Sequence, residues 1–495
     1  MKDFLRINSS DNIIISLREL NRGETIVDDY IEIELLDDIK PGHKIAATDI
    51  RKGEHVIKYG YPIGQAIKDI KKGQWIHTHN IKTNLSGTLE YKYNPNFTEK
   101  RIIDDSKTFM GYKRKNGDVG IRNELWVVPT VGCINGIADM ILNRFKENIR
   151  TVGIDHIHVY KHNYGCSQLG DDLENTRNIL LNIVKHPNAG GVLVLGLGCE
   201  NNIIEEFEEK LGDYDKDRIK LLKTQAVSNE IEDGVKLLEE IYNVIKNDER
   251  EQVPLSKLKV GLKCGGSDGF SGITANPLIG HFSDYLVSYG GTTVLTEVPE
   301  MFGAETILMN RAESEEVFSE IVNLINDFKQ YFIDHGQPIY ENPSPGNKEG
   351  GISTLEDKSL GCTQKGGNSK VVDVLKYGDI VKRNGLNLLN SPGNDLVSST
   401  AMGASGCHMV LFSTGRGTPY GCFVPTVKIS SNTNLSMNKP HWIDFNAGIL
   451  LEKKTMDEVL QEFIELIINI ANGDYTKNEK NDIKEIAIYK TGVTL

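Results

Sequence analysis

The sequence predicts an α/β protein in which a small β-rich N-terminal module precedes a doubly wound, mostly parallel α/β catalytic region. Two patterns point there. Short β-branched runs separated by turn clusters fill residues 1–93, whereas from Gly111 onward strand-like apolar runs alternate with amphipathic helical stretches. A third pattern bears on function. Apolar runs repeatedly end in loops that place a cysteine beside glycine or serine: Cys133, Cys166, Cys199, Cys264 and Cys407, with Cys362 opening a similar loop over 361–369. Loops that leave the carboxyl ends of parallel strands are where open α/β sheets bind ligands. Their glycines let backbone approach a ligand, and the helix starts that follow attract anions.

In the first module, runs at 12–17, 30–35 and 55–58 read as strands between turns such as Asn21-Arg22-Gly23 and Lys40-Pro41-Gly42. The phrases 50–54 and 70–74 echo each other as Lys-Gly turns feeding strands, and the module closes on Trp75-Ile76-His77-Thr78-His79-Asn80. A polar, charged stretch over 94–108 reads as a linker, long enough to let the module reach another surface. A first α/β domain follows over 109–253. Its strands are expected at 125–131, 157–160, 191–195 and 220–224, and its helices at 135–145, 171–184, 202–211 and 229–245. The 191–195 run is continuously apolar, as befits a strand buried on both faces. A second α/β domain is expected over 254–495. It has strands at 260–263, 292–297, 386–389 and 409–413, helices at 275–288, 313–332 and 456–471, and an irregular Pro/Gly-rich loop at 337–351.

The chain has 495 residues, 39% hydrophobic and 25% charged, with a net charge of -13. That charge argues against nucleic acid or an anionic membrane as partner, while leaving room for a local basic site that takes a small anion. No apolar run is long enough to span a bilayer. The N-terminus lacks a signal-peptide layout, and seven thinly spread cysteines suggest no disulfide framework. A cytoplasmic location is the expectation.

Several groups of residues suggest chemistry. His77 and His79, two apart, suit a first-row metal ion, or are simply hydrogen-bonded surface histidines. The stretch 161–168 gathers Lys161, His162, Tyr164 and Cys166 at one strand end, a dense acid–base set or a capped turn. Glu200, beside Cys199 at a helix start, could ligate a cation or favour the helix dipole. Cys133 and Cys407 read as small buried apolar groups. The absence of any C-x-x-C spacing gives no structural zinc site. Glycine-rich loops around Ser267, Asn368 and Arg416 could cradle carboxylate oxygens, with Arg416 as a fork, or serve only as turns. None is a Walker or dinucleotide fingerprint.

The strings Pro129-Thr130-Val131-Gly132-Cys133, Tyr164-Gly165-Cys166-Ser167-Gln168, Gly198-Cys199-Glu200-Asn201, Cys264-Gly265-Gly266-Ser267-Asp268, Glu297-Val298-Pro299-Glu300, Lys358-Ser359-Leu360-Gly361-Cys362-Thr363-Gln364-Lys365 and Thr414-Gly415-Arg416-Gly417-Thr418 resemble the altronate and galactarate dehydratase family. The N-terminal module with His77-Thr78-His79-Asn80 resembles that family's SAF domain, and the C-terminal run from Lys490 to Leu495 resembles its ending. The resemblance implies a hydro-lyase of galacturonate breakdown. Such an enzyme converts D-altronate to 2-dehydro-3-deoxy-D-gluconate with Fe2+ or Mn2+, the C2 proton being removed and the C3 hydroxyl lost. On that basis His77, His79, Cys166 and Glu200 are the expected metal ligands. His162 is the expected base, Tyr164 or Lys365 the acid, and Ser267, Asn368 and Arg416 the substrate-binding groups. Alternatives are galactarate dehydration, sulfolactate desulfonation, an iron–sulfur cluster on three of Cys133, Cys166, Cys199, Cys264 and Cys362, and a metal-dependent sugar-acid binding protein without turnover. A sugar acid is the expected partner, with a homo-oligomer left open.

Overall fold

A computed structural model describes residues 2–27, 32–97, 106–452, 454–492 and 494. The N-terminal module is antiparallel. One sheet orders Phe4–Leu5, Ile13–Ser16, Lys44–Ala46 and Trp75–Ile76, and a second joins His55–Lys58, Tyr61–Ala66 and Ile81–Lys82. The two echoing phrases pair with each other, Ile50 and Ile70 exchanging N–H···O bonds of 2.8 Å. Of the strand expected at 30–35, Glu32–Glu34 is formed, and residues 30 and 31 lie outside the described residues. So do 98–105 of the expected linker and positions 493 and 495 of the C-terminal run. The chain just before that linker is tied to the body: Tyr91 Oη donates to Glu305 (2.6 Å) and Tyr93 Oη to the Ala312 carbonyl (2.6 Å).

Two parallel sheets follow. The first orders Ile157–Val159, Glu124–Pro129, Ala189–Gly196 and Ile219–Lys223, each neighbouring pair parallel. The second has seven strands, in the order Val371–Leu375, Gly385–Leu389, Thr292–Leu295, Lys259–Cys264, Met409–Thr414, Thr426–Ser430 and Phe445–Asn446. Antiparallel pairing of Thr108–Lys113 with Glu251–Pro254 brings the two ends of the first α/β unit together. The two sheets share a core in which Trp126, Val128 and Val194 pack with Leu389, Phe412 and Phe423.

The cysteine loops do not all take the expected position. Cys362 is the last residue of a helix, Leu355–Cys362, and Cys407 lies between the helix Asp395–Ala404 and the start of a strand, so it sits at the strands' amino edge. The irregular loop at 337–351 holds a short helix, Pro345–Glu349, set by a Ser344/Asn347 capping box.

The N-terminal module docks on the second α/β unit. Ile13, Val56, Ile63 and Ile76 pack against Phe270, Ala304 and Leu360. Beside this apolar seam, Asp357 receives Lys44 Nζ and Lys58 Nζ at 2.8 Å each, with all three side chains buried. Asp357 belongs to the same helix that ends in Cys362, so docking and site share one element. Among the described residues no helix is long and apolar enough to cross a membrane.

Candidate metal centre

Three segments of the second sheet converge on one buried point. Cys264 ends the strand Lys259–Cys264, Cys362 ends the helix Leu355–Cys362, and Glu300 lies in the short helical turn Val298–Met301. The two thiol sulfurs are 3.3 Å apart, and each lies 3.2 Å from Glu300 Oε2. The three ligand atoms thus fall within 4.8 Å of one another, as a single ion requires. Two thiols and a carboxylate make a donor set of mixed softness that suits a first-row divalent ion.

Lysines ring this centre. Lys358 Nζ reaches Glu300 Oε1 at 2.8 Å, and Lys365 Nζ reaches Glu297 Oε2 at 3.1 Å. Lys263 Nζ pairs with Glu297 and, at 2.8 Å, with Asp395. Burial alone would raise the Glu300 carboxyl; the charges of Lys358, Lys365 and Lys263 outweigh it and push it down to about 2. The hydrogen bond with Cys264, together with burial, pushes the Cys362 thiol up. Cys362 therefore holds its proton until a cation displaces it. Burial works against the charge on Lys365, but Cys264, Glu297, Cys362 and Glu300 keep it protonated.

Glu297 organises this ring. Its backbone is left-handed at φ 67°, a rare conformation for a residue with a side chain, of a kind that clusters at functional sites. Its carboxylate accepts the Cys264 N–H (3.1 Å) as well as both lysines. Lys428 is a further buried amine. Its Nζ stands 3.7 Å from the Phe412 ring centre without a hydrogen-bond partner, and burial lowers it to about 7.

Of the expected site residues, Lys365 and Ser267 belong here. A narrow crevice lined by Ser267, Lys58, Tyr59 and Lys358 leads to Cys362, and the buried Ser267 Oγ has no hydrogen-bond partner. Arg416 is at the rim. Its side chain is 42% exposed, pairs with Glu349 at 2.9 Å and passes close to the Gly266 backbone. Asn368 is elsewhere: its N–H donates to Asp284 (2.8 Å), so its loop closes round a helix side chain.

His77 and His79 flank the Trp75 ring at 5.1 and 4.9 Å. His77 Nδ1 faces Ser353 Oγ at 3.3 Å, at the docking seam. Burial and Lys44 lower His77 to about 4, leaving it a neutral imidazole. His162, Tyr164, Cys166 and Glu200 lie on the edge of the first sheet. His162 has both ring nitrogens engaged, Nε2 with the Pro129 carbonyl (2.7 Å) and Nδ1 with the Tyr164 N–H (3.1 Å). Glu200 accepts from Thr130 Oγ1 (2.8 Å) and the Leu197 N–H (2.9 Å). The histidine pair and the Cys166/Glu200 pair do not form one centre: among the described residues, none of the four belongs to a group of three or more His, Cys or carboxylate ligand atoms within 4.8 Å of one another. Pattern reading did not select Glu297 and Glu300 as site residues, although Glu297-Val298-Pro299-Glu300 follows a strand in a string already seen to resemble the family.

Together these features define a parallel α/β protein with a docked β module and a buried dithiol–carboxylate centre hemmed by lysines, suited to hold a cation and an anion together. Family models match most of the chain. "Altronate/galactarate dehydratase SAF domain" covers residues 2–84, "D-galactarate dehydratase/Altronate hydrolase, second domain" 111–246, and "D-galactarate/Altronate dehydratase, C-terminal" 255–494. The chain is 61% identical to an altronate dehydratase of Bacillus subtilis (strain 168), over 100% of both chains. It is 57% identical to one of Escherichia coli (strain K12), over 99% of this chain and 100% of that one. A galactarate dehydratase (L-threo-forming) of Escherichia coli is 32% identical over 95% of this chain and 93% of its own. The chain belongs to the D-galactarate/altronate dehydratase family.

Proposed function

We propose that this chain is a hydro-lyase that converts D-altronate to 2-dehydro-3-deoxy-D-gluconate and water. The full-length likeness to two altronate dehydratases supports the substrate, and the Cys264–Glu300–Cys362 centre in its ring of lysines supports the chemistry.

The C2 hydrogen of a hydroxy acid is weakly acidic because the carbanion formed on its removal is poorly stabilised. Ferrous iron, or manganese, on Cys264, Cys362 and Glu300 would supply Lewis-acid polarisation of substrate oxygens. The protein's own groups supply the rest. Lys358 stays charged and is placed to stabilise negative charge developing on the substrate carboxylate. Lys365 is the acid that protonates the departing C3 hydroxyl. Ser267 Oγ, lacking a partner, hydrogen-bonds substrate, and Arg416 steers the carboxylate into the crevice. A base, for which His162 is the candidate, takes the C2 proton; the C3–O bond breaks as the hydroxyl takes the proton of Lys365 and leaves as water, and the resulting enol tautomerises to the 2-keto acid. For His162 to serve as the base, it must release the Pro129 carbonyl and share a substrate with the other sheet's centre.

The test is keto-acid formation by purified chain supplied with Fe2+ under reducing conditions, with D-altronate, galactarate and other sugar acids compared. Keto acid from D-altronate above all others is the expected result. Metal binding without turnover of any sugar acid would make the chain a binding protein instead.

A further inference from the structure

We propose that Cys133, Cys166 and Cys199 form a second metal site, a three-thiolate seat for an iron–sulfur cluster at the edge of the first parallel sheet. The proposal is independent of the dehydratase reading and of the buried centre.

Placement comes from topology. Ile157–Val159, Glu124–Pro129 and Ala189–Gly196 are adjacent, parallel strands, so the loops leaving their carboxyl ends emerge side by side. Each loop carries one of the three cysteines. Backbone contacts lock the loops together. The Gly132 N–H donates to the Tyr164 carbonyl (2.9 Å), the Asn202 N–H to the Gly165 carbonyl (3.0 Å), and the Ser167 N–H to Asn201 Oδ1 (2.7 Å). Gly165 is left-handed at φ +95°, and a Cβ there would stand 2.1 Å from the Thr130 carbonyl oxygen. A Cβ on Gly132 would stand 2.7 Å from the His162 carbonyl oxygen. The residues beside the thiols therefore include glycines that the main-chain contact requires.

Packing does not account for these thiols. A structural free cysteine is normally a small buried apolar group. Here Cys264, Cys362, Cys407 and Cys422 are buried, whereas Cys133, Cys166 and Cys199 are all exposed. The neighbouring carboxylate, Glu200, is turned inward onto Thr130 and Leu197 and does not compete as a ligand.

The three sulfurs are not all within 4.8 Å of one another, so they do not form a tight shell for one ion. A cluster of several irons bridged by sulfide holds its thiolates farther apart. Gln168, two residues beyond Cys166 and only 6% exposed, accepts the Gly165 N–H through Oε1 and leaves Nε2 with no partner. That unpartnered donor, in the loop of one of the three thiols, matches the hydrogen bonds that cluster sulfurs accept. Lys490 Nζ, 6.0 Å from the Tyr164 ring centre, adds positive charge near an anionic cluster. With three protein thiolates, a four-iron cluster would keep one iron open to an oxygen ligand from solvent or a hydroxy acid.

The full chain, made and purified without oxygen and reconstituted with iron and sulfide, should carry acid-labile sulfide and a broad visible charge-transfer band. Cys133→Ser, Cys166→Ser and Cys199→Ser should each lose at least about nine-tenths of both signals, while Cys264→Ser and Cys362→Ser keep them. Circular dichroism confirms that each variant folds. If a variant does not fold, alkylation of the unaltered chain gives the same answer: the three thiols should be protected while the cluster is present and react after chelation. Absence of labile sulfide after reconstitution overturns the proposal. So does a cluster that survives all three substitutions, or one lost with Cys264 and Cys362 instead, or alkylation indifferent to chelation. None of these readouts depends on keto-acid formation.

Discussion

Two cysteine-bearing regions, one on each parallel sheet, arise from similar short strings and end in opposite environments. Cys264 and Cys362 are buried within a ring formed by Lys263, Lys358, Lys365, Glu297 and Glu300. Cys133, Cys166 and Cys199 stand exposed on three adjoining loops. The difference lies in what covers each edge. Over the second sheet, the helix Leu355–Cys362 packs inward and the N-terminal module closes on it through Asp357. A thiol pair in low dielectric with paired charges is suited to one ion, and an open edge is suited to a larger group.

Removing the buried donors tests the contrast most severely. Cys264→Ser, Cys362→Ser and Glu300→Gln should each lower kcat/KM for altronate by about a thousandfold or more, with divalent-metal content falling in parallel. Equal losses on replacing His77 and His79 by alanine, with the buried triad's metal retained, would move the centre to the histidines.

The next largest effect concerns the docking seam. Asp357→Ala strands Lys44 and Lys58 without their counter-ion, and the loss of a buried partner costs about 3–5 kcal/mol. Denaturant unfolding should show that loss, whereas serine at the exposed trio should leave the midpoint of the cluster-free chain nearly unchanged.

Acid sharpens the comparison further. Glu300 and Glu479 are both held down to about 2 in the folded chain: burial opposes the shift, but Lys358, Lys365 and Lys263 around Glu300, and Arg122 beside Glu479, outweigh it. Carboxyls depressed by folding stabilise fully above their unfolded value, near 4.5, and that contribution is lost as pH falls from there toward about 2. Thermal midpoints measured across that window should fall steeply, and Glu300→Gln should flatten the slope. The smallest effect belongs to Arg416. Its exposed pair with Glu349 is worth under about 1 kcal/mol, so Arg416→Ala should leave the thermal midpoint unchanged and raise KM several-fold.

Much of the fold was legible because apolar periodicity reports which face of an element is buried. The helices Ala275–Ser288 and Met456–Ala471 have the bounds that their spacing predicts. The helix Leu355–Cys362 left no such trace, because all eight of its residues are buried, Glu356, Asp357 and Lys358 included. The helix Asp395–Ala404, rich in buried serine and threonine, escaped for the same reason. Pattern reading assigns charged residues to the surface, so Glu297 read only as the end of a strand, Glu300 drew no role, and two histidines two apart drew the metal assignment instead.

By itself, the sequence determined the succession of a β module and parallel α/β units, the family and its chemistry, and the cysteine-bearing strand ends. These are local or whole-chain properties, carried by spacing and by runs of identical residues. The tertiary structure decided which cysteines share a point, that Glu300 joins Cys264 and Cys362, and that Lys44 and Lys58 meet Asp357 from roughly three hundred residues away in the chain. Such meetings depend on how separate sheets and modules pack. No local pattern encodes the partner of a buried charge, because that partner arrives from a distant segment only when the surrounding apolar surfaces close.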